Sequence, residues 1–132
     1  MKSDNVGLMT SADSMDRELG AVRKTVKVLP AAVRIEAQRA LDWRKEYNRG
    51  GTPVGWARAR DIANGTNLSY DTISRMVSFF ARHQVDKQGQ GYKPGTEGYP
   101  SAGRIAWALW GGDPGRTWAI ENMRAHNKRQ AQ

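Results

Sequence analysis

Acid–base chemistry in this sequence would have to be built from His83, His126 and thirteen carboxylates. A catalytic pair must sit within hydrogen-bond reach of its substrate and of a partner that tunes it. The two histidines stand far apart in the chain, and His126 falls in the polar run "HNKRQAQ". Asp86 and Lys87 follow His83 as they would in a nuclease, but the companion acid that a metal-dependent nuclease needs at fixed spacing is missing. With no cysteine, a disulfide framework and a thiolate zinc site are both excluded. Gly89 and Gly91 are followed by glycine at 95 rather than 94, so the dinucleotide fingerprint is broken, and no P-loop pattern occurs. The expectation is a non-enzymatic protein with no catalytic residue, no metal and no cofactor.

The basic residues point elsewhere. The formal charge is +8, most of it beyond residue 30, which favours polyanionic partners and nucleic acid first among them. Within residues 56–83, "WARARDIANGTNLSYDTISRMVSFFARH", two helical patterns flank a turn, and the second is basic and capped by Ser69. In a DNA-binding helix-turn-helix the second helix enters the major groove. Tyr70, Asp71, Ser74 and Arg75 would then reach base edges, with Arg58, Arg60 and Arg82 on phosphates. Against this, the connection from Gly65 to Ser69 exceeds the usual turn, and Asp71 would repel phosphate. Two packed helices with solvated arginines is the plain alternative. In the loop "DKQGQGYKPGTEGYP", Lys87 and Lys93 alternate with Tyr92 and Tyr99. Such a loop can track a nucleic-acid backbone while its rings stack on bases, or fold its tyrosines back onto the domain.

The elements that must position these residues are helical. A chain of 132 residues supports one hydrophobic core. Met15, Leu19, Val22 and Val26 recur at helical spacing in an otherwise polar start, predicting an amphipathic arm over residues 1–28, with an ordinary first helix as the alternative. Pro30 opens a helix to about Tyr47 with Val33, Ala37, Ala40, Leu41 and Tyr47 on its apolar stripe, and Thr52-Pro53 opens another that stops at Asn64-Gly65. A longer helix from Tyr70 to about His83 presents Ile73, Met76, Val77 and Phe80. Glycines and prolines make residues 85–100 a long loop. Ser101 caps a short helix to Trp110, and Asp113-Pro114-Gly115 opens a last one to about Ala125. The fold expected is all-α: a compact domain of five to six short helices with a helix-turn-helix-like pair, a long Gly/Tyr loop and a Trp-rich C-terminal helical corner. The helical module spans residues 29–125, and a basic tail covers 126–132. The expected core residues are Ile73, Phe80, Trp107, Trp110, Asp113 and Trp118.

The stretch "YPSAGRIAWALWGGDPGRTWA" carries three tryptophans among closely spaced glycines. Its Gly111–Arg116 segment has the makings of an anion cradle at a helix N-terminus. Asp113, however, is placed as an N-cap, satisfying those donors itself and repelling phosphate. Core closure, with indoles packed where helices meet at a glycine corner, is the reading preferred.

The ordered strings "LPAAVR", "GGTPVGWARARDIANG", "LSYDTISRMVSFFARHQVDK" and "YPSAGRIAWALWGGDPGRTWA" resemble a small helical module recurrent in tailed-bacteriophage and prophage proteins. That module occurs alone or attached to portal and prohead protease proteins. The resemblance covers about residues 29–123 and implies a viral origin and a helical domain. The family has no settled activity, so no catalytic residue is carried over. The function expected is a non-enzymatic bacteriophage protein, associated with the virion or with genome handling, that binds DNA through its basic helical face. Two alternatives are a head or neck component docking by its N-terminal arm on other phage proteins, and an early effector that binds a host protein through Tyr92 and Tyr99. No apolar run approaches the ~20 residues needed to span a bilayer. The expected location is the host cytoplasm, with packaging in the virion for a structural role.

Overall fold

A computed structural model describes residues 27–131, which form five α-helices and one short 3-10 segment, with no strand among them. Helix α1 (Ala31–Tyr47) follows Pro30, whose carbonyl accepts from the N–H groups of Val33 and Arg34. Its buried stripe of Val33, Ala37 and Ala40 is narrow, and the alanines let neighbours approach closely. Asn48 ends the helix at φ 50°, a left-handed position that asparagine tolerates.

Three helices start as their cap residues dictate. Thr52 Oγ1 accepts from Gly55 N–H ahead of α2 (Pro53–Ala63), Ser69 Oγ from Thr72 N–H ahead of α3 (Tyr70–His83), and Ser101 Oγ from Arg104 N–H ahead of α4 (Ala102–Leu109). Each such cap contributes about 1 kcal/mol. Helix α3 buries Ile73, Met76, Phe79 and Phe80. Phe79 replaces the expected Val77, which is only partly buried. The apolar stripe therefore turns toward the tryptophans of the next helix.

Helix α4 is the hub. It touches α1, α2, α3, α5 (Gly112–Gln130) and the 3-10 segment Gln84–Gln88, and it buries Ile105, Trp107, Ala108 and Leu109 within eight residues. Burying a large side chain contributes about 1.5–3 kcal/mol, so this short helix carries much of the core. Phe80 meets Trp107 edge-on at 4.7 Å, and Phe79 stacks on Trp110 at 5.1 Å.

The pair read as helix-turn-helix-like is joined differently from a DNA-binding motif. Helix α2 packs on α1, whereas α3 packs on α5, and contact between α2 and α3 is marginal at most. Among the described residues α3 is not braced across α2 as a recognition helix is braced. Helix α5 also continues past Ala125 to Gln130. His126 stacks on Tyr70 at 3.8 Å and Arg129 donates to the Tyr70 hydroxyl at 2.7 Å, so tertiary contacts hold residues whose composition reads as a frayed tail. Of the expected arm, residues 1–26 lie outside the described residues. The Val28 carbonyl accepts from the Trp118 indole N–H, and Leu29 is buried.

Candidate binding groove

A concavity of about 730 Å³ opens between the start of α2, the outer face of α3 and helix α4. Phe79, Ala106, Leu109 and Trp110 supply apolar lining, Ser78 and Asp86 polar lining, and Val54, which also lines it, is 56% exposed. Arg75 and Arg82, about two turns apart along α3, form one rim. His83 closes the end of that rim. Its Nδ1 lies 3.0 Å from Asp86 Oδ2, and its ring stacks on Phe79 at 4.3 Å with 24° between planes. Phe79 is thus the middle ring between His83 and Trp110.

Gly51 and Thr52 form a shoulder shared with a second concavity of about 330 Å³, lined by Arg44, Pro53, Trp56 and Arg60. The Arg44 guanidinium sits 4.5 Å from the centre of the Trp56 ring. Gly51 is there of necessity, because its φ is +77° and a Cβ would come within 2.6 Å of Leu109 Cδ1. Arg44, Arg60, Arg75 and Arg82 are all exposed; Arg75 and Arg82 line the larger concavity, Arg44 and Arg60 the smaller, and the two adjoin at Gly51 and Thr52.

The residues singled out for nucleic acid therefore divide. Arg75 and Arg82 line the larger concavity and Arg60 the adjoining smaller one, together with Arg44, which lies outside the helix-turn-helix stretch and gave no motif signal. Arg58 is turned in. Its side chain is 20% exposed, its Nη1 donates to Asp61 Oδ2 at 3.1 Å, and its Nε is buried without a partner among the described residues. Tyr70 is held by His126 and Arg129 rather than projecting. Ser74 and Lys93 are exposed but line neither concavity. Lys87 reaches the other way, onto Asp113 at 2.8 Å and over the Trp107 ring. Asp71 pairs with Arg75 at 3.2 Å, an exposed contact worth a few tenths of a kcal/mol that yields easily to another anion.

The tryptophan corner carries structural chemistry. Ile73, Phe80, Trp107, Trp110 and Trp118 are all buried. Asp113 is not a core residue: it is exposed, and it is not the N-cap, because α5 begins at Gly112 with Gly111 as cap. Its carboxylate instead accepts from the Trp107 indole and from Lys87. Burial pushes its pKa up, but those two donors outweigh burial and hold it below the ordinary value. Arg104 Nη2 donates to Glu36 Oε1 at 3.0 Å in a pair that is 13% exposed on each side. Tyr92 lies half-buried near that pair, its phenol pushed up to about 12 by burial against the opposing effect of Arg104. It is turned inward, as in the folded-back reading of the Gly/Tyr loop, and so is poorly placed to anchor a partner.

Among the described residues no group of three His, Cys, Asp or Glu is placed to hold a metal ion, and no helix is long and apolar enough to cross a membrane. Set against protein-family models, curated proteins and solved structures, the chain matches none of them.

Proposed function

We propose that the protein is a non-enzymatic, nucleic-acid-binding protein of a tailed bacteriophage or prophage, acting in genome handling or in the virion. The observation that carries the binding reading is the band of Arg44, Arg60, Arg75 and Arg82 around the Gly51–Thr52 shoulder, where two concavities adjoin. Four exposed guanidiniums on one contoured surface of a +8 chain favour a polyanion that runs along the surface over a single small anion. The viral setting is supported by the ordered strings of residues 29–123 that resemble the phage module.

Measuring oligonucleotide binding by fluorescence anisotropy from 50 to 300 mM salt tests the reading. Affinity is expected to fall steeply as condensed counterions lose their release advantage. Arg60→Gln and Arg82→Gln are each expected to lower the slope of log K against log salt by about 1, as loss of one phosphate contact does. Absence of binding at 50 mM salt, or a flat salt response, removes the reading.

A further inference from the structure

We infer that the nucleic acid this surface takes is single-stranded, with an unpaired base laid against the ring of His83 in the larger groove. The inference rests on the nucleic-acid reading and deepens it.

Two features of the groove carry it. The first is the contrast within the groove: arginines stand along one side, while Phe79, Ala106, Leu109 and Trp110 make most of the lining apolar, with Ser78 and Asp86 among its polar members. A duplex turns phosphates outward and keeps its bases paired, so it would use the rim and leave the apolar interior facing water. An unpaired nucleotide can use both, with phosphate at Arg75 and Arg82, the base against the exposed ring of His83 at the end of the groove and its sugar toward the apolar lining. The second is the row of rings. Trp110 and Phe79 stack at 5.1 Å and 17°, Phe79 and His83 at 4.3 Å and 24°, and the His83 side chain remains 39% exposed. Asp86 holds the imidazole through Nδ1, which fixes its plane in line with the row. The outermost ring of such a row is a platform for one more flat aromatic group, and every base has a face to offer.

Charge decides between a base and an apolar protein segment. The rim bears Arg75 and Arg82, with Arg44 and Arg60 continuing across the shoulder. Their carboxylate neighbours Asp71 and Asp86 are each already engaged, by Arg75 and His83. A repeating phosphate backbone complements such a band along its length, whereas a peptide would need acidic residues at matching intervals.

The full chain is titrated with a labelled twenty-nucleotide oligo-dA, with a duplex of equal length and with an acidic peptide carrying one tryptophan, all at 50 mM salt. Binding of the single strand at least tenfold tighter than the duplex is expected, the ratio that about 1.4 kcal/mol of base stacking supplies. His83→Ala is expected to bring the single strand down to the duplex affinity while leaving the duplex unchanged, and His83→Phe, which keeps a ring, to retain the preference. Should His83→Ala fail to fold by circular dichroism, Ser78→Tyr, which fills the groove from an exposed wall position, is expected to abolish the preference in its place. Equal or tighter binding of the duplex overturns the inference and leaves the nucleic-acid reading standing. So does a single-strand preference that survives in a folded His83→Ala protein or, where that variant does not fold, in Ser78→Tyr. Failure of both oligonucleotides to bind, or tighter binding of the peptide, overturns both.

Discussion

One carboxylate oxygen of Asp113 accepts the Trp107 indole N–H at 2.9 Å and the Lys87 ammonium at 2.8 Å, fastening α4 and the 3-10 segment to the first turn of α5. The indole donor belongs to a ring that is 1% exposed, so losing its acceptor leaves a polar group with no ready access to water. Asp113→Ala is expected to cost about 1–3 kcal/mol in urea unfolding. Lys87→Ala, which removes the more exposed contact, is expected to cost less than about 1 kcal/mol.

The same carboxylate gives the fold an acid dependence. Burial raises its pKa, but bonds from Lys87 and Trp107 bring it below the ordinary 3.8. A group depressed in the folded state adds stability above its unfolded pKa, and that stability is lost as pH falls through the folded value. Unfolding midpoints of the wild type are therefore expected to approach those of Asp113→Asn as pH is lowered below about 4. A difference unchanged from pH 6 to pH 3 would contradict the assignment.

Trp118 ties the beginning of the described chain to its last helix, donating to the Val28 carbonyl at 3.0 Å. It is 6% exposed, and truncation removes both a large buried area and that bond. Trp118→Ala is expected to destabilise by about 3–5 kcal/mol, and Trp118→Phe by clearly less, since most of the apolar area is kept. A Trp118→Ala protein as stable as wild type but unable to bind a partner would make the corner a site rather than a core.

Gly115 lies in the first turns of α5, where alanine is ordinarily better by about 1 kcal/mol. Here a Cβ would fall 2.7 Å from the Trp110 carbonyl oxygen, a backbone atom that cannot move aside alone. Gly115→Ala is therefore expected to lower stability by about 1–3 kcal/mol, the reverse of the propensity effect. Thermal melts of the two proteins decide the sign.

Arg75 and Arg82 are exposed, and among the described residues Arg75 pairs only with Asp71, at the surface. The double substitution Arg75→Gln/Arg82→Gln is expected to change unfolding free energy by no more than about 0.5 kcal/mol, because neither side chain packs in the core. Oligonucleotide affinity in low salt is expected to fall by an order of magnitude or more, as the loss of two phosphate contacts predicts. A folded double variant with wild-type affinity would place binding elsewhere on the surface.

The helices themselves were legible because their signals are local. Thr52-Pro53, Ser69 and Ser101 cap where a side-chain oxygen can reach an N–H three residues on, and Ile73, Met76 and Phe80 recur at helical spacing. Trp107, Trp110 and Trp118 are buried, as the large apolar area of an indole favours.

What depended on tertiary contact was not legible. Phe79 is one position from the expected stripe, and only the direction in which α3 leans on α4 and α5 chose it over Val77. The end of α5 was set by Tyr70, half the chain away, and the role of Asp113 by Trp107 and Lys87 rather than by its place at a helix start. The groove shows the same division. Its arginines were visible as charge, and three of them as candidates, but Arg44 joins Arg60, Arg75 and Arg82 only because α1 and α2 pack side by side while α3 swings onto α5. The sequence by itself determined the helices and the sign of the surface, since caps, periodicity and charge act over a few residues. The tertiary structure alone decided which arginines share a surface and which rings stack, because both depend on how rigid helices fit around α4.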